Sequence, residues 1–286
     1  MGKLFKNLKP YWKSVLVIVV LLVVQAFCDL SLPQYTSDII DTGIQNSGVE
    51  HILPEKITAE EFQNAQLFMT ANEQKTWQDA YSDDGDILDR NDFSKKDLEQ
   101  FDSDLIVPIL LNYQMSMMSE DSFREMLMQQ QQGNPQAAEQ LKTMSIADIG
   151  KSMGVTLTPF ERTEEDDDGN QTTVTCVDVR PLFAAMQEAG QFTEETRSEM
   201  RSQLETMLDT MGESLVQSMG VAYAVQCDQA AGLDTNNIQT NYLWAAGGKM
   251  VAMAFAMMAA TICVSYVAAR VGAGVGRDLR KKVFSR

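Results

Sequence analysis

Residues Met250–Ala269 read MVAMAFAMMAATICVSYVAA, twenty positions without a single charge. A helix rises about 1.5 Å per residue, so this run covers about 30 Å, the thickness of a bilayer's hydrocarbon core. The chain continues without proline into RVGAGVGRDLRKKVFSR, Arg270–Arg286, which holds six basic residues and one acidic residue, Asp278. How this stretch is read decides the fold. As a buried helix it belongs to a soluble acidic protein. As a spanning helix with a basic inner end it belongs to a membrane protein. Uncharged runs of this length are rare in soluble folds, which favours the second reading.

A second uncharged run, SVLVIVVLLVVQAFC, lies at Ser14–Cys28, behind Lys3, Lys6, Lys9 and Lys13. Setting both basic flanks aside leaves 13 of the 23 basic and 39 of the 40 acidic residues for positions 29–249, a net charge of −26 there. Basic flanks around an acidic middle follow the positive-inside rule. They predict a cell-membrane protein with both termini cytoplasmic and the acidic middle extracellular. The mean hydropathy, slightly negative, hides this segregation.

Fifteen uncharged residues make only about 22 Å of helix. Two readings of the first run follow. One is a signal peptide with Val24-Gln25-Ala26 at its cleavage site. The other is an uncleaved helix with Tyr11 and Trp12 at the inner interface and Asp29 carried to the outer headgroups. On the second reading Lys13 to Asp29 covers about 24 Å, and Lys249 to Arg270 about 31 Å. Asp29 and Lys249 are then both expected at the outer boundary, within reach of each other and facing protein or water, because charges avoid lipid. The expected organisation is a cytoplasmic N-terminus over 1–13, a transmembrane helix over 14–34, an extracytoplasmic domain over 35–238, a second transmembrane helix over 239–270 and a cytoplasmic helical extension over 271–286. The fold class is mainly α.

The acidic middle reads as capped helices with a core of their own, a soluble unit from about 48 to 235. Thr58 with Glu61, Thr70 with Glu73 and Ser94 with Asp97 have capping-box spacing. Trp77 and Tyr81 fall four apart on one helical face, and Pro108 is expected to kink or break its helix. A long helix is expected from Thr193 through Met219, with Met200, Leu204, Met207, Leu208 and Met211 as its core stripe. One segment looks extended: VTLTPFERTEEDDDGNQTTVTCVDV, Val155–Val179, has β-branched runs on both sides of Asp-Gly-Asn, the pattern of a hairpin. Its tip also resembles a calcium loop, with Glu164, Asp166, Asp168 and Gly169 at ligand and turn spacing, but Thr175 stands where a bidentate Glu is wanted. A solvated tip is the plainer reading.

Cys176 and Cys227 either pair outside the cell or are two unrelated thiols. His51 is the only histidine, follows a glycine-containing loop and is expected to be exposed. No catalytic set and no Gly-x-x-x-x-Gly-Lys-Ser/Thr loop occurs. Gly272, Gly274 and Gly276 read as close-packing glycines within a helix. Nothing points to nucleic acid as a partner; the partner indicated by the apolar runs is membrane lipid.

Two segments carry a resemblance. CDLSLPQYTSDIIDTGIQNSGVE, Cys28–Glu50, resembles the end of the first transmembrane helix of bacterial ABC-type exporters, with Leu-Pro, then Ile-Ile-Asp, then Gly-Ile. AARVGAGVGRDLRKKVFSR is similar to the start of their first intracellular loop, where an Arg-x-Leu-Arg-x-x-x-Phe pattern falls here on Arg277, Leu279, Arg280 and Phe284. GLDTNNIQTNYLW, Gly232–Trp244, resembles a Firmicutes-type branch with a long outside insertion between the first two helices. The resemblance implies the N-terminal part of the permease domain of a half-transporter. Arg277, Leu279, Arg280 and Phe284 would lie on the helix descending to the coupling helix. The implied partners are a second exporter half-subunit, identical or related, and an ATP-binding domain. ATP and Mg are implied for that domain only; no cofactor, metal or catalysis is expected of this chain. The alternative is a two-helix membrane receptor or sensor whose outside domain binds a ligand or a protein.

Overall fold

The computed structural model describes residues 11–82, 85–130, 139, 141, 143–165 and 171–284. They fall into two compact units. One joins the ends of the chain, up to Val49 and from Asn236 onward; the other is Glu50–Thr235.

The first unit is two long helices. α1 runs Trp12–Asp38 with Pro33 inside it and passes directly into a π-helical segment, Ile39–Gln45. Proline removes one backbone hydrogen bond, and a π turn resets the register. α10, the last helix, runs Thr235–Phe284. Both are long and apolar enough to cross a membrane.

They pair antiparallel. The Tyr11 hydroxyl donates to Asp278 Oδ2 at 3.1 Å, and Gln239 Nε2 donates to the Gly43 carbonyl at 2.9 Å. Between these ends the less exposed positions recur at three- and four-residue steps: Ser14, Ile18, Leu21, Gln25, Cys28 and Leu32 on α1; Met253, Met257, Ala260, Val264, Val267 and Val271 on α10. That is the 3.5-residue period of a left-handed pair. Cys28 and Ala260 are its buried centre. Glycine is required where the chains come closest. A Cβ on Gly43 would sit 2.6 Å from Leu243, and one on Gly274 2.6 Å from the Tyr11 hydroxyl. Of the three expected close-packing glycines Gly274 alone acts so; Gly272 and Gly276 have open space beside them.

The second unit is built from short capped elements. After β1 (Lys56–Thr58) come α2 (Ala59–Ala65), α3 (Ala71–Asp79), β2 (Tyr81–Ser82) and β3 (Ile87–Arg90). Then follow α4 (Lys95–Ser116), β4 (Met118–Ser119), α5 (Glu120–Gln130), α6 (Ile146–Ser152), β5 (Pro159–Glu165) and β6 (Gln171–Val177). α7 (Arg180–Glu188), α8 (Glu194–Leu208) and α9 (Glu213–Ala230) complete it. The expected caps form. Thr70 with Glu73 and Ser94 with Asp97 make reciprocal capping boxes, and Thr58 accepts the Glu61 N–H.

The structure departs from the expected elements at several places. α4 continues through Pro108, whose neighbours Leu105, Ile109, Leu110 and Leu111 are buried and hold it in place. The helix expected over 193–219 is two, α8 and α9, separated around Gly212, which provides the N-cap of α9. In its stripe Leu204 and Leu208 are core while Met207 faces solvent. Tyr81 is on a strand, yet its ring still meets Trp77, at 5.1 Å between centroids. The hairpin of β5 and β6 pairs Pro159 with Val177 through to Glu165 with Gln171. It is not alone: β4 joins it in a sheet ordered β4-β6-β5, and a second sheet is ordered β1-β3-β2, all antiparallel. The added strands are two to four residues long, too short to show an alternating pattern.

The main core gathers Phe68, Phe123, Ile149, Val177, Phe183 and Leu204 with their neighbours. Phe68, Phe183 and Phe192 meet edge to face, the geometry ring quadrupoles prefer.

Candidate functional site

Six positions were expected to matter on the long helices: Arg277, Leu279, Arg280, Phe284, Asp29 and Lys249. Along α10, Arg277 is exposed and pairs with its own neighbour Asp278 at 3.6 Å; Arg280 is exposed too. Leu279 is partly exposed and Phe284 is 82 % exposed. The structure therefore brings Arg277, Leu279, Arg280 and Phe284 onto one helix and leaves their outer faces uncovered. Asp278, which the motif ignores, is the residue that ties this end to α1 through Tyr11.

Asp29 and Lys249 are placed differently from the expectation. With Tyr11 level with Asp278 and Gly43 level with Leu243, position 29 is level with about Met258 and position 249 with about Asp38. Lys249 and Asp29 are both exposed on the helix surface. At 1.5 Å per residue their levels differ by roughly 14 Å, so they are out of each other's reach. The reason is that Ser14–Cys28 is not the whole apolar run of α1. Asp29 interrupts a longer uncharged span that resumes at Leu30 and lasts to Ser37. Asp29 lies near the middle of the uncharged stretch of α10, not at its end.

The second unit holds a polar cluster that the sequence did not announce. Arg180 at the start of α7 is buried. It donates to both oxygens of Glu61 at 2.8 and 2.7 Å, to both oxygens of Asp178, and to Asn112 Oδ1. Asn112 is itself wholly buried and donates to Glu61 at 2.9 Å. Burial works against the guanidinium charge, but the bonds it donates to Asp178 and the charge of Glu61 outweigh it and hold the Arg180 pKa above its ordinary value. Glu61 was legible as a helix-capping position; its partner lies 119 residues away, and no local spacing shows that.

Beside this cluster α9 presents Tyr223, Cys227 and Asp228. Asp228 Oδ1 accepts the Lys56 N–H at 2.8 Å, tying α9 to β1. Among the described residues its Oδ2 meets no hydrogen-bond partner. Burial pushes the Asp228 pKa up to about 6. Burial, then the nearby Glu61 carboxylate, pushes the Cys227 thiol up as well. A thiol held protonated is a poor nucleophile. Arg180, Asn112, Glu61 and Asp178 satisfy one another, whereas the buried Tyr223 hydroxyl and Asp228 Oδ2 beside them meet no hydrogen-bond partner among the described residues.

His51 is not exposed as expected. It is mostly buried, with Nδ1 2.7 Å from Asp102 Oδ2, while Asp102 Oδ1 accepts the Ile52 N–H and Gln217 Nε2 donates to Oδ2 at 3.0 Å. The carboxylate fixes the imidazole where the second unit begins. Cys176 and Cys227 are both buried, on β6 and α9, and no disulfide joins them. Among the described residues no group of three or more His, Cys, Asp or Glu side chains is placed to hold a metal. Of the calcium-loop residues, Asp166, Asp168 and Gly169 lie outside the described residues.

Compared with protein-family models, with curated proteins and with solved structures, the chain finds no match in any of the three.

Proposed function

We propose that the chain is the N-terminal part of the transmembrane domain of an ABC-type exporter half-transporter, with the acidic unit outside the cell and α10 running on into the cytoplasm. The observation that carries this reading is the α1–α10 pair. Its outward surface is apolar along most of its length, with Phe27, Leu30, Trp244, Phe255, Ile262 and Tyr266 all more than 60 % exposed. Such a surface is stable against lipid or against other apolar helices, and its backbone is already satisfied within the helices. The exporter-like segments lie at the two ends of this pair: Leu-Pro and Ile-Ile-Asp run into the π-helical end, and Arg277 to Phe284 form the basic end. In this reading export is the work of an assembly. Further helices enclose the pathway, and a paired ATPase domain binds ATP and Mg and drives the switch between inward and outward openings.

Two experiments test it. The coding sequence beyond Arg286 is expected to supply four more apolar helices and a phosphate-binding loop. A signalling module there would replace the exporter by a two-helix receptor. In a background with the native cysteines replaced by serine, a single cysteine at Gly169 is expected to react with an impermeant maleimide on intact cells, and one at Lys6 is not. The opposite labelling sinks the topology.

A further inference from the structure

The β5–β6 hairpin is anchored only at its base. There Cys176 and Val177 are buried, and β4 pairs with those two residues alone. Beyond them β5 and β6 stay paired, from Glu161 with Thr175 to Glu165 with Gln171. Along this length Glu161, Arg162 and Thr163 are consecutive and exposed, as are Thr172 and Thr173 opposite them. Successive side chains of a strand point to opposite faces, so both faces of the ribbon meet solvent there. A two-stranded ribbon without an apolar face to bury is marginal in water. Packing against its own unit therefore does not account for the length of this one.

Its edge is the second observation. In the sheet β4-β6-β5, β5 stands outermost, and among the described residues no strand pairs with its other side. Alternate residues of such a strand turn their N–H and C=O groups outward, and this row is a template for a further strand.

The charge of the edge selects the strand that fits. β5 carries Glu161, Glu164 and Glu165 against one basic residue, Arg162, a net of −2, whereas β6 carries no charge. Charges on an edge strand guard it against chance pairing. The guard is selective, since like charges facing across a strand pair are unfavourable and opposite charges favourable. β5 of a second copy would bring the same surplus of acid and is turned away; a cationic strand is admitted. Phe160, nearer the base of the same strand, is 38 % exposed and offers an apolar contact. A small cation satisfies the carboxylates alone, while a peptide backbone also satisfies the outward N–H and C=O row.

We propose that the outer edge of β5 is a docking surface for a cationic polypeptide segment, which joins the sheet as an extended strand beside β5. The proposal uses the second unit alone and holds whether or not the helix pair belongs to an exporter.

The test uses the full chain in nanodiscs of zwitterionic phosphatidylcholine and a labelled peptide, Lys-Val-Lys-Thr-Lys-Val-Lys with blocked ends. Saturable binding is expected by fluorescence anisotropy. The peptide with Glu in place of each Lys is expected not to bind. The N-methylated peptide, with the same charges but no backbone N–H, should bind weaker by about tenfold or more. Glu161→Lys combined with Glu164→Lys and Glu165→Lys should weaken binding of the cationic peptide by about tenfold or more. Should that variant fail to fold, Gln at the same three positions decides: weakened binding supports the edge, and unchanged binding overturns it. The proposal is also overturned by an absence of saturable binding, by equal binding of the N-methylated peptide, which reduces the contact to charge alone, or by equal binding to the lysine variant. A dimer of the chain held together through β5, dispersed by Thr163→Pro and not by the peptide, makes a second copy the occupant and overturns it as well.

Discussion

The two units solve the same problem in opposite directions. In Glu50–Thr235 the large apolar side chains face inward: Phe68, Trp77 and Phe123 have no exposed surface. In the helix pair many of them face outward, and the most buried positions between the helices are small: Cys28, Ala246 and Ala260. On the membrane reading proposed above, the difference is one of solvent. In water the hydrophobic effect drives large side chains to the centre. Between apolar helices it supplies nothing, and close backbone approach through small residues takes its place. The charges follow the same division: the second unit carries nearly all the acid, and its buried arginines are each matched by carboxylates.

Breaking the chain between the units gives the largest effect. Residues 50–235 expressed alone are expected to be soluble and to show a helical circular dichroism spectrum with a cooperative melt. The helix pair without detergent or lipid is expected to aggregate. A disordered spectrum for 50–235 would mean that its core depends on the helices, and the comparison would collapse.

Within that fragment, Arg180→Ala leaves the partly buried Glu61 and Asp178 carboxylates without their buried partner. Removing one partner of a buried ion pair costs about 3–5 kcal/mol, read as a lowered midpoint in urea unfolding. Arg180→Met, of similar length but uncharged, should be nearly as costly, which separates lost charge from lost packing. Loss below about 1 kcal/mol in both would show that the cluster is solvated.

The Asp228 carboxyl gives a pH signature. Its folded pKa, about 6, lies above the ordinary value of an aspartate. Its stabilising contribution is therefore complete below about pH 4 and is lost as pH rises through about 6. The change is about 3 kcal/mol for a shift of this size. Glu73 runs the other way. Burial raises its pKa, but Arg201 and the Thr70 N–H overcome this and hold it low, so its contribution is present at neutral pH and lost on acidification. Asp228→Asn should flatten the slope between pH 4 and 6. An unchanged slope would place the titration elsewhere.

The smallest effect sharpens the account of the helix pair. Gly43→Val and Gly274→Val each drive a side chain into Leu243 or Tyr11, and Gly247→Val meets open space. The first two are expected to lower the melting temperature in detergent, at an overpacking cost of about 1–3 kcal/mol. The third should leave it nearly unchanged. Equal effects at Gly43 and Gly247 would mean that the helices do not pair in this register.

Much of this was legible in the residues themselves because it is local. A twenty-residue uncharged run, a basic flank, a Thr-x-x-Glu cap and an Asp-Gly turn between β-branched runs each act through neighbours within a few positions. So the apolar helix over Met250–Ala269, the caps at Thr70 and Ser94, and the strand pairing within Pro159–Val177 follow the sequence. The break at Gly212 was missed because apolar periodicity runs across it and only the packing of α8 and α9 separates them. At Pro108 the helix is not broken, since burial of its neighbours outweighs one lost hydrogen bond.

The sequence by itself determined that the chain has two apolar helices, a strongly acidic stretch between them and a mainly helical structure, because hydropathy, charge and capping act over short distances. Only the tertiary structure decided which distant residues meet. Arg180 finds Glu61 across 119 positions, His51 finds Asp102 and Asp228 reaches β1, because buried charges and polar groups must be matched wherever the fold carries them. It also decided which part of α10 Asp29 stands beside. Counting from Cys28 alone ends the apolar run there, whereas the contacts of Tyr11 with Asp278 and of Gly43 with Leu243 fix the register of one helix against the other, and a register belongs to the pair.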